Sequence, residues 1–197
     1  MDIFDSVYRE TPPWDIGRAQ KAFIELAAAG EVTGSVLDVG CGTGEHALFF
    51  AEEGHDVLGI DTAVLAIRKA EEKAARRGLQ AQFRVWNALD LAGLERTFDT
   101  VIDTGLFHVL SDEDRPRFAE SLATVLEPGG KYFMLGFSDR NPGEYPLPRR
   151  LAKQEIEEAF REGWSIDYIR PAVFENAIQA EGHHAWLASI TRTASGR

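Results

Sequence analysis

The chain has 197 residues, 44% of them apolar, a net charge of −11 and a single cysteine; that suits one domain with a sizeable core and rules out an intramolecular disulfide or a multi-cysteine metal centre. No apolar run approaches the roughly 20 residues of a membrane span, and the opening MDIFDSVYRE lacks the apolar region of a secretory leader, so a cytoplasmic location is expected. The acid excess argues against nucleic acid or an anionic membrane as partner, because Arg76–Arg77 and Arg149–Arg150 are the local basic clusters; it fits plain solubility first and a modest attraction for a cationic ligand second.

PPW at 12–14 breaks the chain ahead of a helix over 18–29. SVLDVG (35–40) reads as a buried strand running into a glycine loop, and a helix follows through 46–54. DVLGID (56–61) is a second strand. A helix over 62–77 places Ala63, Ile67, Ala70 and Ala74 on one face. Arg76 and Arg77 suit the negative end of its dipole, and Gly78 can close it. AQFRVWNA (81–88) and FDTVID (98–103) are the third and fourth strands. The stripe Phe118, Leu122, Val125 and Leu126 predicts a helix ended by EPGG (127–130), with KYFMLGFS (131–138) as the fifth strand. The stretch 139–150 is polar and holds three prolines and a glycine, which makes it a loop. A helix then runs through 151–162, with Ala152, Ile156, Ala159 and Phe160 inward. Two late strands, 164–170 and 184–193, have no helix between them and are expected to pair antiparallel. Alternating strands and helices specify an α/β fold on a mostly parallel sheet covered by helices.

The chemistry is concentrated in VLDVGCGTG at 36–44, a strand feeding Gly40, Gly42 and Gly44 and then a helix. Glycines let the backbone turn tightly and let a ligand approach it closely. The spacing is G-x-G-x-G, not the dinucleotide fingerprint G-x-G-x-x-G, and no Gly-Lys-Ser/Thr follows as a phosphate loop requires. Asp38 lies within the buried strand, where a carboxylate needs hydrogen-bond donors, either backbone amides or a cationic group. Asp61 closes the second strand, 61 − 40 = 21 positions after Gly40. An acid there can accept from both hydroxyls of a ribose or cap the following helix.

With D-V-G-C-G-T-G and Asp61 together, residues 35–138 resemble the class I S-adenosylmethionine-dependent methyltransferases. That resemblance implies a Rossmann-like fold: a seven-stranded, mostly parallel sheet with an antiparallel last strand and helices on both faces. It implies S-adenosyl-L-methionine as cofactor, S-adenosyl-L-homocysteine as product, and no metal. Asp38, Gly40 and Gly42 would lie by the methionine part, Asp61 on the ribose, and Thr62, Asn87 and Ala88 around the adenine. Asn87 stands where the family often has an acid. Asp103 and Thr104 end the fourth strand, where the cofactor's amino group meets the substrate pocket. YRETPPWDIGRAQ (8–20) is similar to the P-P-W-D-x-G segment of small bacterial methyltransferases of the thiopurine and tellurite-resistance type, some of which modify quinones, quinolones and other heterocycles. There the segment covers the cofactor, which assigns Trp14 and Gly17 to the site; Trp14 could instead pack the N-terminal helix onto the sheet.

Methyl transfer needs alignment and exclusion of water more than protein nucleophiles. His108, following the fourth strand, is the candidate general base, with capping or packing as its plainer alternative. Cys41 reads as a small packing residue. His183 and His184 are adjacent on a strand, on opposite faces, and make poor joint metal ligands. Tyr8, Trp14, Phe107, Phe137 and Tyr145 are the candidate walls of an apolar acceptor pocket, with 139–150 as a lid and 1–30 as a covering segment of one domain. The expected activity is methylation of a small aromatic or heterocyclic acceptor at oxygen, nitrogen or sulfur. A non-catalytic S-adenosylmethionine-binding regulator on the same fold is the alternative. A nicotinamide oxidoreductase fits worse, given the glycine spacing and the lack of a Tyr-x-x-x-Lys pair. Methylation of protein or nucleic acid is opposed by the charge and by the lack of an added recognition domain. The oligomeric state is left open.

Overall fold

The structure is a computed structural model that describes residues 6–143 and 148–194. Helix α1 (Lys21–Ala28) precedes strand β1 (Val36–Val39), and α2 (Glu45–Glu52), β2 (Val57–Asp61), α3 (Val64–Arg77) and β3 (Ala81–Val85) follow in alternation. A 3-10 stretch at Ala88–Leu94 leads to β4 (Phe98–Thr104), and a 3-10 turn at Phe107–Val109 leads to α4 (Asp114–Leu122). Strand β5 (Leu126–Phe137), helix α5 (Lys153–Ala159) and strands β6 (Trp164–Phe174) and β7 (His183–Arg192) complete the order.

The seven strands make one sheet in the order β3-β2-β1-β4-β5-β7-β6. Every neighbouring pair is parallel except those involving β7, which runs against both β5 and β6. Chain order reverses between β1 and β4, and in open α/β sheets the crevice beyond the carboxyl ends at such a switch point is where ligands bind. Val39 of β1 lies beside Asp103 of β4, so Gly40 and Thr104 leave the sheet side by side at that crevice.

Strand alternation divides the core in two. Leu37, Val101, Tyr132, Met134 and Trp186 face α4, α5 and the 3-10 stretch. Val36, Ile102, Phe133, Leu135 and Leu187 face α1 and α2. Helix α3 buries Ala66, Ile67, Ala70 and Ala74, close to the expected face, and Gly78 closes it in a left-handed conformation. No helix of the described residues is long and apolar enough to cross a membrane.

Several boundaries differ from the sequence-based expectation. Helix α4 stops at Leu122, so Val125 and Leu126 lie beyond it and Leu126 already pairs with Phe98. EPGG then bulges out of β5 before pairing resumes at Lys131 with Thr100. The third strand ends at Val85, because the Asn87 side chain accepts the Leu89 amide and starts a 3-10 stretch. The late helix is also shorter than its apolar pattern, covering Lys153–Ala159.

Candidate cofactor and acceptor site

The glycine loop is fixed by the strands and helices around it. A Cβ on Gly44, whose φ is +84°, would come 2.8 Å from Phe83 and 2.9 Å from Ala70, so the start of α2 lies directly on β3 and α3. Cys41 is buried within the loop, its amide donating to the Ile60 carbonyl at 2.9 Å. Asp38 is 1% exposed and accepts the Ala47 amide at 3.1 Å, which ties β1 to the first turn of α2. Burial, with Asp103 and Asp61 adding repulsion, pushes its carboxyl up to about 8 although the Ala47 bond favours the ion. Asp61 performs two tasks at the end of β2. One oxygen accepts the Gly42 amide at 2.9 Å and the other the Ala63 amide at 2.8 Å, so it shapes the turn into α3 and sets the glycine loop at once. Thr62 beside it is exposed. Asn87 is also exposed, with its side-chain oxygen on the Leu89 amide at 2.9 Å, and Ala88 is buried behind it.

The segment before α1 lies over this loop. Tyr8 is buried, with its hydroxyl 2.9 Å from where a Cβ on Gly42 would stand. Burial and the nearby Asp61 carboxylate raise its phenol above the usual range. Trp14 is 43% exposed and edge-on to Tyr8, with ring centroids 6.5 Å apart, so it is no core wedge between helix and sheet. Gly17 is exposed and turns with φ of +72°.

Residues that sequence reasoning missed fasten this strap. The Lys73 ammonium of α3 binds Thr43 Oγ1 of the loop and Glu45 of α2, each at 2.6 Å, and Asp15 of the strap at 3.5 Å. Asp15 also accepts from Thr43 Oγ1 at 2.6 Å, and Arg77 reaches Glu45 at 2.8 Å. Further along, the Gln20 amide donates to His46 Nε2 at 3.1 Å, and Gln20 and Glu175 exchange backbone and side-chain bonds at 2.7 and 2.9 Å. Arg18 binds Glu175 through both carboxylate oxygens. The only signal for this set is its polar composition, because its members are far apart in the chain.

At the end of β4, Asp103 and Thr104 point to opposite faces. Asp103 is fully buried and accepts the Leu106 amide (2.7 Å), the Phe107 amide (2.9 Å) and the Tyr132 hydroxyl (2.8 Å). It organises the turn after β4, and burial pushes its carboxyl up to about 7 against those bonds. Thr104 faces α2, 3.4 Å from His46 Nε2. Burial pushes His46 down to about 4, so it stays neutral.

The acceptor-side expectations fare unevenly. Phe107 is fully buried among Phe118, Phe160 and the Arg115 guanidinium. It is a core residue, not a pocket wall, because the turn set by Asp103 points it inward. Tyr145 lies outside the described residues. Phe137 is half-buried and meets the rings of His108 (5.0 Å), Phe174 (5.0 Å) and His183 (4.8 Å). The described ends of the 139–150 loop are fastened here, Arg149 donating its amide to the His108 carbonyl at 3.1 Å and Asn141 binding His184.

His108 does not fit the role of general base. Its Nδ1 accepts the Phe137 amide at 3.0 Å, which leaves the proton of the neutral ring on Nε2. Burial, with the Arg115 charge adding to it, pushes the ring down to about 3. An imidazole in that state donates and does not take up a proton. A cleft of about 370 Å³ between α4, α5 and Trp164 shares no residue with this constellation and lies toward the amino-terminal end of β6.

Comparison with known proteins agrees with the geometry. Residues 36–130 match a family model described as a methyltransferase domain. The 2-heptyl-1-hydroxyquinolin-4(1H)-one methyltransferase of Mycobacteroides abscessus is 36% identical over 182 residues, covering 87% of this chain and 80% of that protein. A solved structure from work on conversion of a disulfide bond into a thioacetal group during echinomycin biosynthesis superposes with a TM-score of 0.89 at 37% identity, covering 97% of this chain and 91% of the other. TehB from Haemophilus influenzae shares the fold, with a TM-score of 0.71 at 20% identity over 98% of this chain and 66% of its own. The chain belongs to the class I S-adenosylmethionine-dependent methyltransferases.

The donor set suits that cofactor on its own chemistry. A carboxylate at the end of β2 is tied to the glycine-loop amide of Gly42, an arrangement that suits a ribose diol, and Tyr8 and Leu106 border the loop at Gly42 and Gly40.

Proposed function

We propose that the chain binds S-adenosyl-L-methionine at the switch point between β1 and β4 and methylates a small, flat aromatic or heterocyclic acceptor. The carrying observation is the 2.9 Å bond between the Gly42 amide and Asp61, which unites glycine loop and ribose acid in one unit. When bound, the cofactor supplies a methyl carbon on a positively charged sulfur, open to in-line attack by an acceptor lone pair. The chain's own residues bind and align. Gly40 and Gly42 offer backbone to the methionine part, with Asp38 holding α2 behind them. Asp61 takes the ribose hydroxyls, and Thr62, Asn87 and Ala88 border the adenine. Thr104 lines the crevice, and Asp103 acts through the turn it organises. Tyr8, Trp14 and Gly17 belong to a strap that excludes water.

The acceptor side supports an aromatic substrate. Phe137, Phe174 and the His108 ring are flat rings gathered at the carboxyl end of the sheet. The Mycobacteroides relative is named for a hydroxyquinolone, a ligand of that shape. Whether the acceptor atom is oxygen, nitrogen or sulfur, the net charge of −11 favours a small molecule over nucleic acid. The lone Cys41 and the charge suit a single-domain cytoplasmic enzyme. An acceptor screen read by S-adenosylhomocysteine release tests this, with hydroxyquinolones, hydroxylated quinones and aryl thiols as the first compounds. Acceptor-dependent release is expected from at least one class; tight S-adenosylhomocysteine binding with no turnover of any class would point to a non-catalytic binder instead.

A further inference from the structure

We propose that His108 is a fixed hydrogen-bond donor to the acceptor, and that its Nε2–H selects acceptors that arrive as anions, an oxyanion beside an aromatic ring foremost. The proposal rests on the methyltransferase reading above and adds the chemical form of the substrate.

The tautomer is set by structure. The amide of Phe137, on β5, has only a proton to offer, so Nδ1 must accept it, at 3.0 Å, and Nε2 must carry the ring's hydrogen. Among the described residues Nε2 has no hydrogen-bond partner, and although the side chain is only 5% exposed this atom is not among the fully enclosed unpaired ones. Its N–H therefore opens on accessible space, where an incoming acceptor can reach it. The ring is held against rotation by Phe137 edge-on at 5.0 Å and by Phe174 at 5.9 Å, and its carbonyl holds Arg149.

Nε2 also lies in the right place. A Cβ on Gly105, whose φ is +87°, would come 3.2 Å from it, and Gly105 directly follows Thr104 at the end of β4. A Cβ on Gly40 would come 3.1 Å from Leu106, the next residue along. The donor therefore stands one residue layer from the glycine loop, at the crevice of the switch point. The groups around it are Phe137 and Phe174, the Arg115 guanidinium on the α4 side and the His183 ring beyond Phe137. With the ring pushed down to about 3, Nε2–H persists throughout the neutral range. The acceptor's own proton thus leaves to water before binding, and His108 neither gains nor loses one.

The probe is 1-hydroxyquinolin-4(1H)-one, whose ionised and neutral forms differ in absorption, titrated into protein saturated with S-adenosylhomocysteine. Wild-type protein is expected to bind the anion and lower the probe's apparent pKa. His108→Gln, which keeps an N–H near the Nε2 position, should retain that shift. His108→Phe should lose it and weaken anion binding about 10- to 100-fold, as for a hydrogen bond to a charged group. Turnover should rise with pH along the pKa of whichever acceptor is used. Nitrogen-15 spectra of the wild type should show His108 neutral, protonated on Nε2, from about pH 5 upward, a readout that survives if a variant fails to fold. Unchanged anion binding in His108→Phe, an Nδ1–H tautomer, absence of probe binding, or an inflection common to all acceptors with imidazole rescue of His108→Gly would each overturn the proposal. If the wild type does not bind S-adenosylhomocysteine, the cofactor reading fails with it; if it binds, a negative result falls on His108 alone.

Discussion

The two halves of the crevice are built by different means. On the proposed cofactor side, position comes from backbone: amides of Gly42, Ala47 and Ala63 are set by two carboxylates, Asp61 and Asp38, all within one β-α-β-α stretch. On the proposed acceptor side, position comes from side chains: His108, Phe137, Phe174 and His183 meet from the ends of four separate elements. The difference shows where change is tolerated. A backbone cradle serves one invariant ligand and fails as a unit, whereas a ring cluster can be reshaped one residue at a time, which suits variation in the acceptor.

The largest effect separating the halves should come from Asp61→Ala. It removes two amide acceptors and the ribose acid, and S-adenosylhomocysteine affinity should fall by about 100-fold or more by calorimetry. Phe137→Leu should do the converse, raising the acceptor KM about 3- to 10-fold while leaving S-adenosylhomocysteine binding within twofold, about the loss of one aromatic contact. Equal effects of both substitutions on both ligands would erase the distinction.

A smaller effect tests how the strap is attached to the cofactor side. Lys73→Met removes the ammonium that joins Asp15, Thr43 and Glu45 and leaves the strap only the direct Thr43–Asp15 bond, and the dissociation rate of S-adenosylhomocysteine should rise about 3- to 10-fold in stopped-flow. Glu45, 7% exposed at its side chain, keeps Arg77, so the fold should survive. An unchanged rate would mean the strap does not retain the ligand.

The smallest effect is electrostatic. The Asp38 carboxyl, ordinarily near 3.8, is pushed up to about 8, so the folded protein holds a proton that the unfolded chain releases between those values. Stability contributed by this group is present below the unfolded value and is lost as pH rises through the folded one. Asp38→Asn keeps an acceptor for Ala47 without the charge. Its Tm relative to wild type should climb by a few degrees from about pH 4 to about pH 8, measured without cofactor. A flat difference would mean Asp38 is not desolvated.

What was legible in the sequence follows the same division. The glycine loop, Asp38, Asp61 and the parallel alternation of β1 to β5 are local in the chain, so spacing alone identifies them. The antiparallel β7 was legible because two strands without an intervening helix can hardly pair otherwise. Phe107 was misassigned because its fate depends on Asp103 turning it toward Phe118 and Phe160, contacts far apart in sequence. His108 follows β4 as expected, but the general-base role expected of it depended on a tautomer that is fixed by an amide on β5. Lys73, Gln20, His46 and Glu175 carried no signal, since an ordinary surface pattern hides a network that closes only in three dimensions.

Calorimetric titration with S-adenosylhomocysteine, with NADH alongside, shows whether the crevice between β1 and β4 holds S-adenosylmethionine. Single-site binding in the micromolar range, lost in Asp61→Ala and absent for NADH, is the predicted result. No binding, preference for NADH, or binding indifferent to Asp61 would contradict it.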